Sequence, residues 1–413
     1  MPGRRSARRR LLPILPLAAL LAGGCGDSNV TRVSGPPTVS LTAPAPGASV
    51  SPVGFTVEVA AADDDGVTRI DVYVDTTLVA SIAIPPYKTF VTTLGLDSTA
   101  VHTVRAVAFD GDGLSAADTA GSIQVLPRRY RQLTNSPPGQ RSFEPAWRPD
   151  GLQIAFARQG TLDTSTKNVY VVSASGVAPT QVTTSLLRDG NPAYSPDGGW
   201  IAFESDRNTF YQVFAVNPSS GKTVQLTSAG GGANQRRPTW STTTGPDSWI
   251  AYESDRSGRD DIFMVRVTPD PDTVLIASPE TFADTHDAQD FAPAWSHTSA
   301  LGITSNRNGA FAVVTVDPFL APGAFQIAGT NAGLFEEHAP SFSPLDTHVA
   351  FVEEIAAQKV WVVPVFGSGA VRDDVAPGDL GFSDSSDPAW SPDGARVAFV
   401  STRTGVAEVW ILE

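Results

Sequence analysis

One phrase recurs six times in the last two thirds of this 413-residue chain. Its copies are Pro145-Ala-Trp-Arg-Pro-Asp-Gly151, Pro192-Ala-Tyr-Ser-Pro-Asp-Gly198, Pro238-Thr-Trp-Ser241, Pro293-Ala-Trp-Ser296, Pro340-Ser-Phe-Ser-Pro344 and Pro388-Ala-Trp-Ser-Pro-Asp-Gly394. The prolines are separated by 47, 46, 55, 47 and 48 residues. A fixed period of this size marks one supersecondary unit, which cannot bury its apolar face alone and must stack on its neighbours. Each copy runs into a short apolar stretch: Ile154-Ala-Phe156, Ile201-Ala-Phe203, Ile250-Ala-Tyr252, Leu301-Gly-Ile303, Val349-Ala-Phe351 and Val397-Ala-Phe399. Further strands follow, such as Val213–Val216, Ile262–Val265 and Val360–Val363. The reading is an inner strand opened by the proline and the aromatic, then a Pro-Asp-Gly turn into a second strand. The aromatic ring wedges between neighbouring units, worth roughly 1.5–3 kcal/mol of burial each. A repeat of this length with four short strands is a propeller blade.

The third to fifth copies depart from the full phrase. Thr242-Thr-Thr-Gly245 intervenes before Pro246-Asp247, His297 stands where a proline is expected, and Leu345 replaces an aspartate. Their strands are still expected; their turns are open. Ring closure is also legible. Arg131-Gln-Leu-Thr134 precedes the first copy and matches Val224-Gln-Leu-Thr227, a fourth strand, whereas Val409–Glu413 reads as the third strand of the last unit. The early strand should therefore complete the last blade and remove a loose edge.

On these phrases, the repeats resemble the WD40-like blades of TolB-type six-bladed propellers. The resemblance implies a propeller over residues 127–413 and a role in organising the cell envelope. It does not carry over a particular partner, because fold-level analogy is a weak warrant for function.

Between the N-terminus and the propeller lie seven short alternating runs: Thr38–Leu41, Phe55–Ala60, Ile70–Val74, Leu78–Ile82, Thr89–Thr92, Val101–Phe109 and Ser122–Val125. Period-two alternation puts apolar side chains on one face, and turn residues such as Asp65-Gly66 and Asp110-Gly-Asp-Gly113 separate the runs. About 90 residues with seven strands fit a β-sandwich. The order of Pro37–Pro44, Ala60–Val67, Val72–Asp75 and His102–Asp110 resembles bacterial Ig-like modules, which places an Ig-like sandwich at 37–126 as a spacer. Asp63, Asp64, Asp65, Asp110 and Asp112 form a candidate calcium set, since hard cations take several carboxylate oxygens. Turn formation by Asp and Gly is the competing reading, and the favoured one.

The first 24 residues read as an export signal. Arg4, Arg5, Arg8, Arg9 and Arg10 precede Leu11–Gly24, almost all apolar or small. As a helix this run would span about 21 Å, short of the ~30 Å hydrocarbon core. Leu21-Ala-Gly-Gly-Cys25 resembles a bacterial lipobox, which implies that Cys25, the sole cysteine of the chain, is lipidated and anchors the protein to the envelope. Gly26 rather than aspartate follows it, which favours the outer over the inner membrane. Arg8–Leu12 also loosely resembles a twin-arginine signal. Residues 25–36 are expected to be a flexible tether.

Composition limits the partners. The net charge of −14 becomes −19 without residues 1–24, which makes nucleic acid a poor partner. A single cysteine excludes an internal disulfide and a cysteine-built metal site. No cofactor or metal is expected: His102, His286, His297, His338 and His348 lack ligand spacing. Ser219-Ser-Gly-Lys-Thr223 lacks the first glycine of a phosphate loop, because position 216 is Val216, and reads as a hairpin turn. No Gly-x-Ser-x-Gly nucleophile elbow occurs. Glu204-Ser-Asp-Arg207 and Glu253-Ser-Asp-Arg256, with variants Thr304-Ser-Asn-Arg307 and Ser401-Thr-Arg403, read as exposed turn-stabilising pairs worth about 0–1 kcal/mol each.

The candidate site is a face. Residues just before each proline are expected at the mouth of the central channel: Glu144, Asp189, Asn191, Arg236, Arg237, Asp290, Phe291, Glu337, His338 and Asp387. The competing reading is a solvated rim. The acidic insertion from Pro269 to Ala288, with Asp270, Asp272, Glu280, Asp284 and Asp287, is a second candidate recognition loop. The expectation is an all-β, lipid-anchored envelope protein whose propeller is a non-catalytic protein- or peptide-binding scaffold. The alternatives are a carbohydrate- or polymer-binding protein, or a propeller-type polysaccharide lyase or hydrolase, which would gather carboxylates and histidines in the channel. A surface adhesin that binds through the Ig-like module is a third reading.

Overall fold

The computed structural model describes residues 35–160, 166–176, 178–228, 232–243, 248–281, 288–319, 324–327, 336–354, 357–365, 372–376 and 384–413. Cys25 and the tether lie outside the described residues, apart from Gly35 and Pro36. Every regular element among the described residues is a strand.

Residues 38–125 fold as two facing sheets. Thr38–Ala43, Gly54–Ala62 and Lys88–Thr92 make the first; Ser49–Val50, Ser115–Val125, Val101–Asp110, Val67–Val74 and Thr77–Ile82 make the second, in that order. All seven expected runs are strands. The eighth, Ser49–Val50, pairs parallel with Gln124 and Val125. The last strand also starts seven residues earlier than its apolar signal at Ser122, because Ala116–Thr119 are held by pairing to Arg105–Ala108 and not by burial. Alternation builds the core: Val104, Ala106 and Ala108 point inward against Val57, Ile70 and Val72, all fully buried.

Six four-stranded sheets follow among the described residues, one per repeat. Their first strands are Gln140–Trp147, Asp189–Tyr194, Gln235–Trp240, Asp290–Trp295, Glu336–Phe342 and Ser385–Trp390. The Pro-x-aromatic phrase therefore ends the first strand and does not open it, which corrects the sequence expectation. The residue before each proline has a positive φ: Glu144 59°, Asn191 47°, Arg237 47°, Ala292 49°, Ala339 54° and Asp387 48°. The pairing register shifts across every one of these positions. A bulge takes the proline out of the regular ladder, where its missing N–H would break a bond.

After the aromatic, Gly151, Gly198 and Gly394 take φ near +70°, the left-handed turn that glycine adopts without Cβ strain. In the fifth repeat Asp346 occupies that conformation, at φ 55°. Its carboxylate accepts the His297 and Thr298 backbone N–H groups at 2.9 and 2.8 Å, so this turn ties the fourth blade to the fifth. The intervening residues 244–247 of the third turn lie outside the described residues.

The aromatics bridge blades as expected. The Trp147 indole N–H donates to the Ala389 carbonyl of the sixth blade at 3.0 Å, and that of Trp295 to the Thr239 carbonyl of the third at 3.2 Å. The ring closes as expected too. Tyr130–Gln132 pairs antiparallel with Glu408–Leu412, with Gln132 opposite Trp410 and Tyr130 opposite Leu412.

The Ig-like module is more than a spacer. Val53, Phe90 and Leu94 share one apolar cluster with Val375, Ala376 and Trp390 of the fifth and sixth blades. Phe90 packs edge-on to Trp390 with ring centroids 5.4 Å apart. Ser51 Oγ donates to the Ala395 carbonyl at 2.6 Å, Thr347 Oγ1 to the Phe90 carbonyl at 3.2 Å, and Arg128 bridges the Leu94 and Asp374 carbonyls.

Candidate functional site at the channel mouth

The six first strands surround a central cavity of about 640 Å³. Its walls are the pre-proline residues, the prolines and the aromatics of all six repeats. The bulge aims this lining, since a left-handed residue turns its side chain and backbone N–H out of the regular alternation.

A relay of carboxylates secures those strained positions. Glu144 Oε2 accepts the Asn191 N–H at 2.7 Å, Glu204 Oε2 the Arg237 N–H at 2.9 Å, and Glu253 Oε2 the Ala292 N–H at 3.3 Å. Asp387 of the sixth blade faces the Glu144 backbone in the same sense, a contact that opposes the rise of its pKa. Each acid reaches from one blade to the bulge of the next. The channel is thus lined by backbone and side-chain groups fixed in position, while its acids retain further acceptor capacity.

Two cations are set among these acids. Lys167 Nζ lies 2.6 Å from Glu144 Oε1 and 3.9 Å from Glu204 Oε1. Burial disfavours its charge, but Glu144 and Glu204 outweigh that and raise its pKa. Gly190 makes the room: a Cβ there would overlap Lys167 Cε and Nζ. Arg237 pairs with Glu253 at 3.0 Å. Burial raises the pKa of Glu253, with Arg237 opposing. Burial likewise raises that of Asp387, which is only partly covered yet deep in the channel.

The ten sequence candidates separate into three groups. Glu144, Asn191, Arg237, Phe291, His338 and Asp387 line the cavity. Asp189, Asp290 and Glu337 are corrected: they are 0%, 2% and 0% exposed and cannot meet a partner directly. Each is held by a guanidinium, with Arg207 at 3.0 Å, Arg307 at 2.9 Å and Arg372 at 2.7 Å respectively. They stand three residues before the proline, on the inward side of the strand. Arg236 is also corrected, since it stacks on Tyr211, with 4.8 Å from Cζ to the ring centroid, outside the cavity lining.

The Glu-Ser-Asp-Arg phrase is not an exposed turn. Glu204 and Glu253 are the buried relay acids, 6% and 5% exposed. In four blades a serine oxygen accepts from the arginine two residues on: Arg207 Nε to Ser205 at 2.8 Å, Arg256 to Ser254 at 3.3 Å, Arg307 to Ser305 at 2.8 Å and Arg403 to Ser401 at 3.2 Å. Three of these guanidiniums lie over blade aromatics, as Arg207 does on Phe214 at 4.5 Å. Lys167 and Arg372 were missed in the sequence because neither stands in a repeated phrase.

The remaining candidates resolve simply. Most of the acidic insertion is a long hairpin of Asp261–Asp270 and Thr273–Thr281, whose tip accepts the Trp200 indole N–H at the Asp270 carbonyl, 2.8 Å away. Asp284 and Asp287 lie outside the described residues. Gly221 turns the Ser219–Thr223 segment between two strands, its N–H donating to the Asn217 carbonyl at 2.8 Å. Among the described residues, the acids and histidines that gather in a group of three or more, with ligand atoms within 4.8 Å of one another, are Asp63, Asp64 and Asp65, on the Ig-like module. Asp110 and Asp112 are not part of that group, and Asp110 Oδ1 instead accepts the Asp112 and Leu114 N–H groups at 3.0 and 2.8 Å.

Comparison with known proteins agrees with this architecture. Residues 120–245 match the family model of the TolB beta propeller domain, and residues 37–116 that of the bacterial Ig domain. A TolB homolog protein of Chlorobium luteolum is 29% identical over 146 residues, covering 29% of this chain and 32% of that protein. The chain thus spans about a third of the length of the curated relative it matches. Among solved structures, a Bacteroides thetaiotaomicron protein of unknown function is similar with a TM-score of 0.51 and 10% identity, over 92% of this chain and 98% of that one. TolB from Acinetobacter baumannii gives 0.45 and 15%, over 76% and 77%. The chain is an all-β protein with an Ig-like domain and a TolB-like propeller.

Proposed function

We propose that this protein is a lipid-anchored component of the bacterial cell envelope whose propeller is a non-catalytic scaffold for a protein or peptide segment. The observation that carries the reading is the relay at the channel mouth. Glu144, Glu204 and Glu253 each hold the backbone of the neighbouring blade, and Asp387 lines the same channel. Acids tied in this way make a preformed polar surface and are poorly placed to shuttle protons. Four acids against Lys167 and Arg237 leave the mouth net negative, so the segment it receives carries a basic or amide-rich stretch. The anchor is Cys25, and the outer membrane is the destination where the cell has two.

Affinity capture from native envelopes tests the scaffold. Arg237→Glu reverses the arginine that, among the described residues, lines the channel, and the capture profile is expected to lose a specific protein relative to wild type. Identical profiles would sink the reading. Cys25→Ser is expected to move the protein from the membrane pellet to the soluble fraction. The carbohydrate reading is tested in parallel on a glycan array, where binding abolished by Glu144→Gln would replace the peptide with a sugar.

A further inference from the structure

Beside the channel lies a second cavity of about 340 Å³, between the first and sixth blades. The two adjoin at Glu144 and Asp387, which line both. One wall is cationic and aromatic. The Arg141 guanidinium and the Lys167 ammonium lie 5.4 and 5.5 Å from the centroid of the same Phe143 ring. Asp384, Ser386 and Thr402 form the facing wall.

The two cations are not equivalent. Lys167 is neutralised by Glu144 at 2.6 Å. Arg141 has no ion-pair partner among the described residues: one Nη2–H donates to Gln159 Oε1 at 3.2 Å, and its Nε–H is buried without an acceptor. A buried donor without an acceptor is costly unless a ligand completes it, and on a guanidinium that ligand is best an anion. The chain has a surplus of acids, with 43 Asp and Glu against 29 Lys and Arg, yet among the described residues none is placed on this guanidinium.

We propose that the cleft is a carboxylate-binding subsite, in which Arg141 takes the carboxylate of an acidic side chain, or of a chain end, on the segment whose remainder occupies the channel. The guanidinium fork matches the two oxygens of a carboxylate, and Phe143 shields the contact from water. Glu144, Asp384 and Asp387 surround the approach and disfavour a doubly charged phosphate. The ligand class is therefore a single carboxylate within an otherwise neutral or basic peptide. This extends the scaffold reading above, but its test reads Arg141 directly.

The test uses the full chain and three tripeptides: acetyl-Ala-Asp-Ala-amide, acetyl-Ala-Asn-Ala-amide, and acetyl-Ala-Ala-Ala with a free carboxyl end. Calorimetry measures affinity, and thermal melting checks the fold of each variant. Wild type is expected to prefer a carboxylate peptide over the Asn peptide by about tenfold or more. Whichever of the Asp and free-acid peptides binds tighter identifies the source of the carboxylate. Arg141→Gln is expected to abolish the preference and Arg141→Lys, which keeps the charge without the fork, to retain part of it. An undiminished preference in Arg141→Gln, or no preference in wild type, overturns the proposal. Should Arg141→Gln fail to fold, the comparison of wild type with Arg141→Lys still decides it, equal preference counting against. Unchanged capture by Arg237→Glu would defeat the channel reading and leave this result standing; the reverse also holds.

Discussion

Thr134 Oγ1 donates to Glu408 Oε2 at 2.6 Å, across 274 residues of chain. Thr134 in turn accepts the Val409 N–H at 2.9 Å, and Glu408 accepts both the N–H and the hydroxyl of Ser136, at 2.7 and 3.0 Å. Glu408 is 1% exposed, and these donors satisfy its buried oxygens in the seam. The ring is therefore closed by a polar lock as well as by the strand Tyr130–Gln132.

Breaking that lock has a definite cost. Thr134→Val removes one donor to a buried carboxylate and one acceptor for a buried N–H, so a loss of roughly 2–4 kcal/mol is expected in urea unfolding. Deleting residues 131–134 removes the strand itself and is expected to prevent cooperative folding of the propeller. Unchanged melting after that deletion would show that closure contributes nothing.

Phe90 couples the Ig-like module to the propeller. It is 2% exposed and lies against Gly394, where an added Cβ would stand 2.5 Å from Phe90 Cε2. Phe90→Ala is expected to cost about 3–5 kcal/mol and to free the module. Calorimetry should then resolve two transitions in the variant and one in wild type, and limited proteolysis should cut near residues 126–129.

Gly190 and Lys167 form a pair suited to a double-mutant cycle. Gly190→Ala should displace the lysine, breaking its bond to Glu144, at a cost of about 1–2 kcal/mol. In a Lys167→Ala background the same substitution meets no ammonium, and its cost should fall by more than about half. Equal costs in both backgrounds would mean that the cradle does not position the lysine.

His348 makes stability depend on pH. Burial pushes its pKa from 6.5 to about 4, while Thr347 Oγ1 lies 2.9 Å from its Nδ1 and Phe90 packs edge-on to the ring at 6.0 Å. Below pH 6.5 the unfolded chain binds a proton that the folded one refuses, so this stability is full above that pH and is lost as pH falls toward about 4. The total is roughly 3 kcal/mol. His348→Gln should flatten the stability profile between pH 4 and 6.5 relative to wild type; parallel profiles would remove His348 as the cause.

The sequence alone determined the blades, their order and the closure, because these rest on local signals repeated at a fixed spacing: an aromatic to wedge, a Pro-Asp-Gly to turn, an alternating run to pair. It also placed Glu144, Asn191, Arg237 and Asp387 at the channel, since the residue before each proline is a repeat position. Only the tertiary structure decided which polar residues were available there. Asp189 and Asn191 are two residues apart, yet one is sealed under Arg207 and the other lines the cavity. The left-handed bulge at Asn191 breaks the alternation that a sequence pattern assumes. The partners of Asp290, Glu337 and Glu253 lie 17, 35 and 16 residues away, and the relay of Glu204 to Arg237 crosses between blades. Such contacts are set by how sheets stack around an axis, and no local pattern encodes that distance.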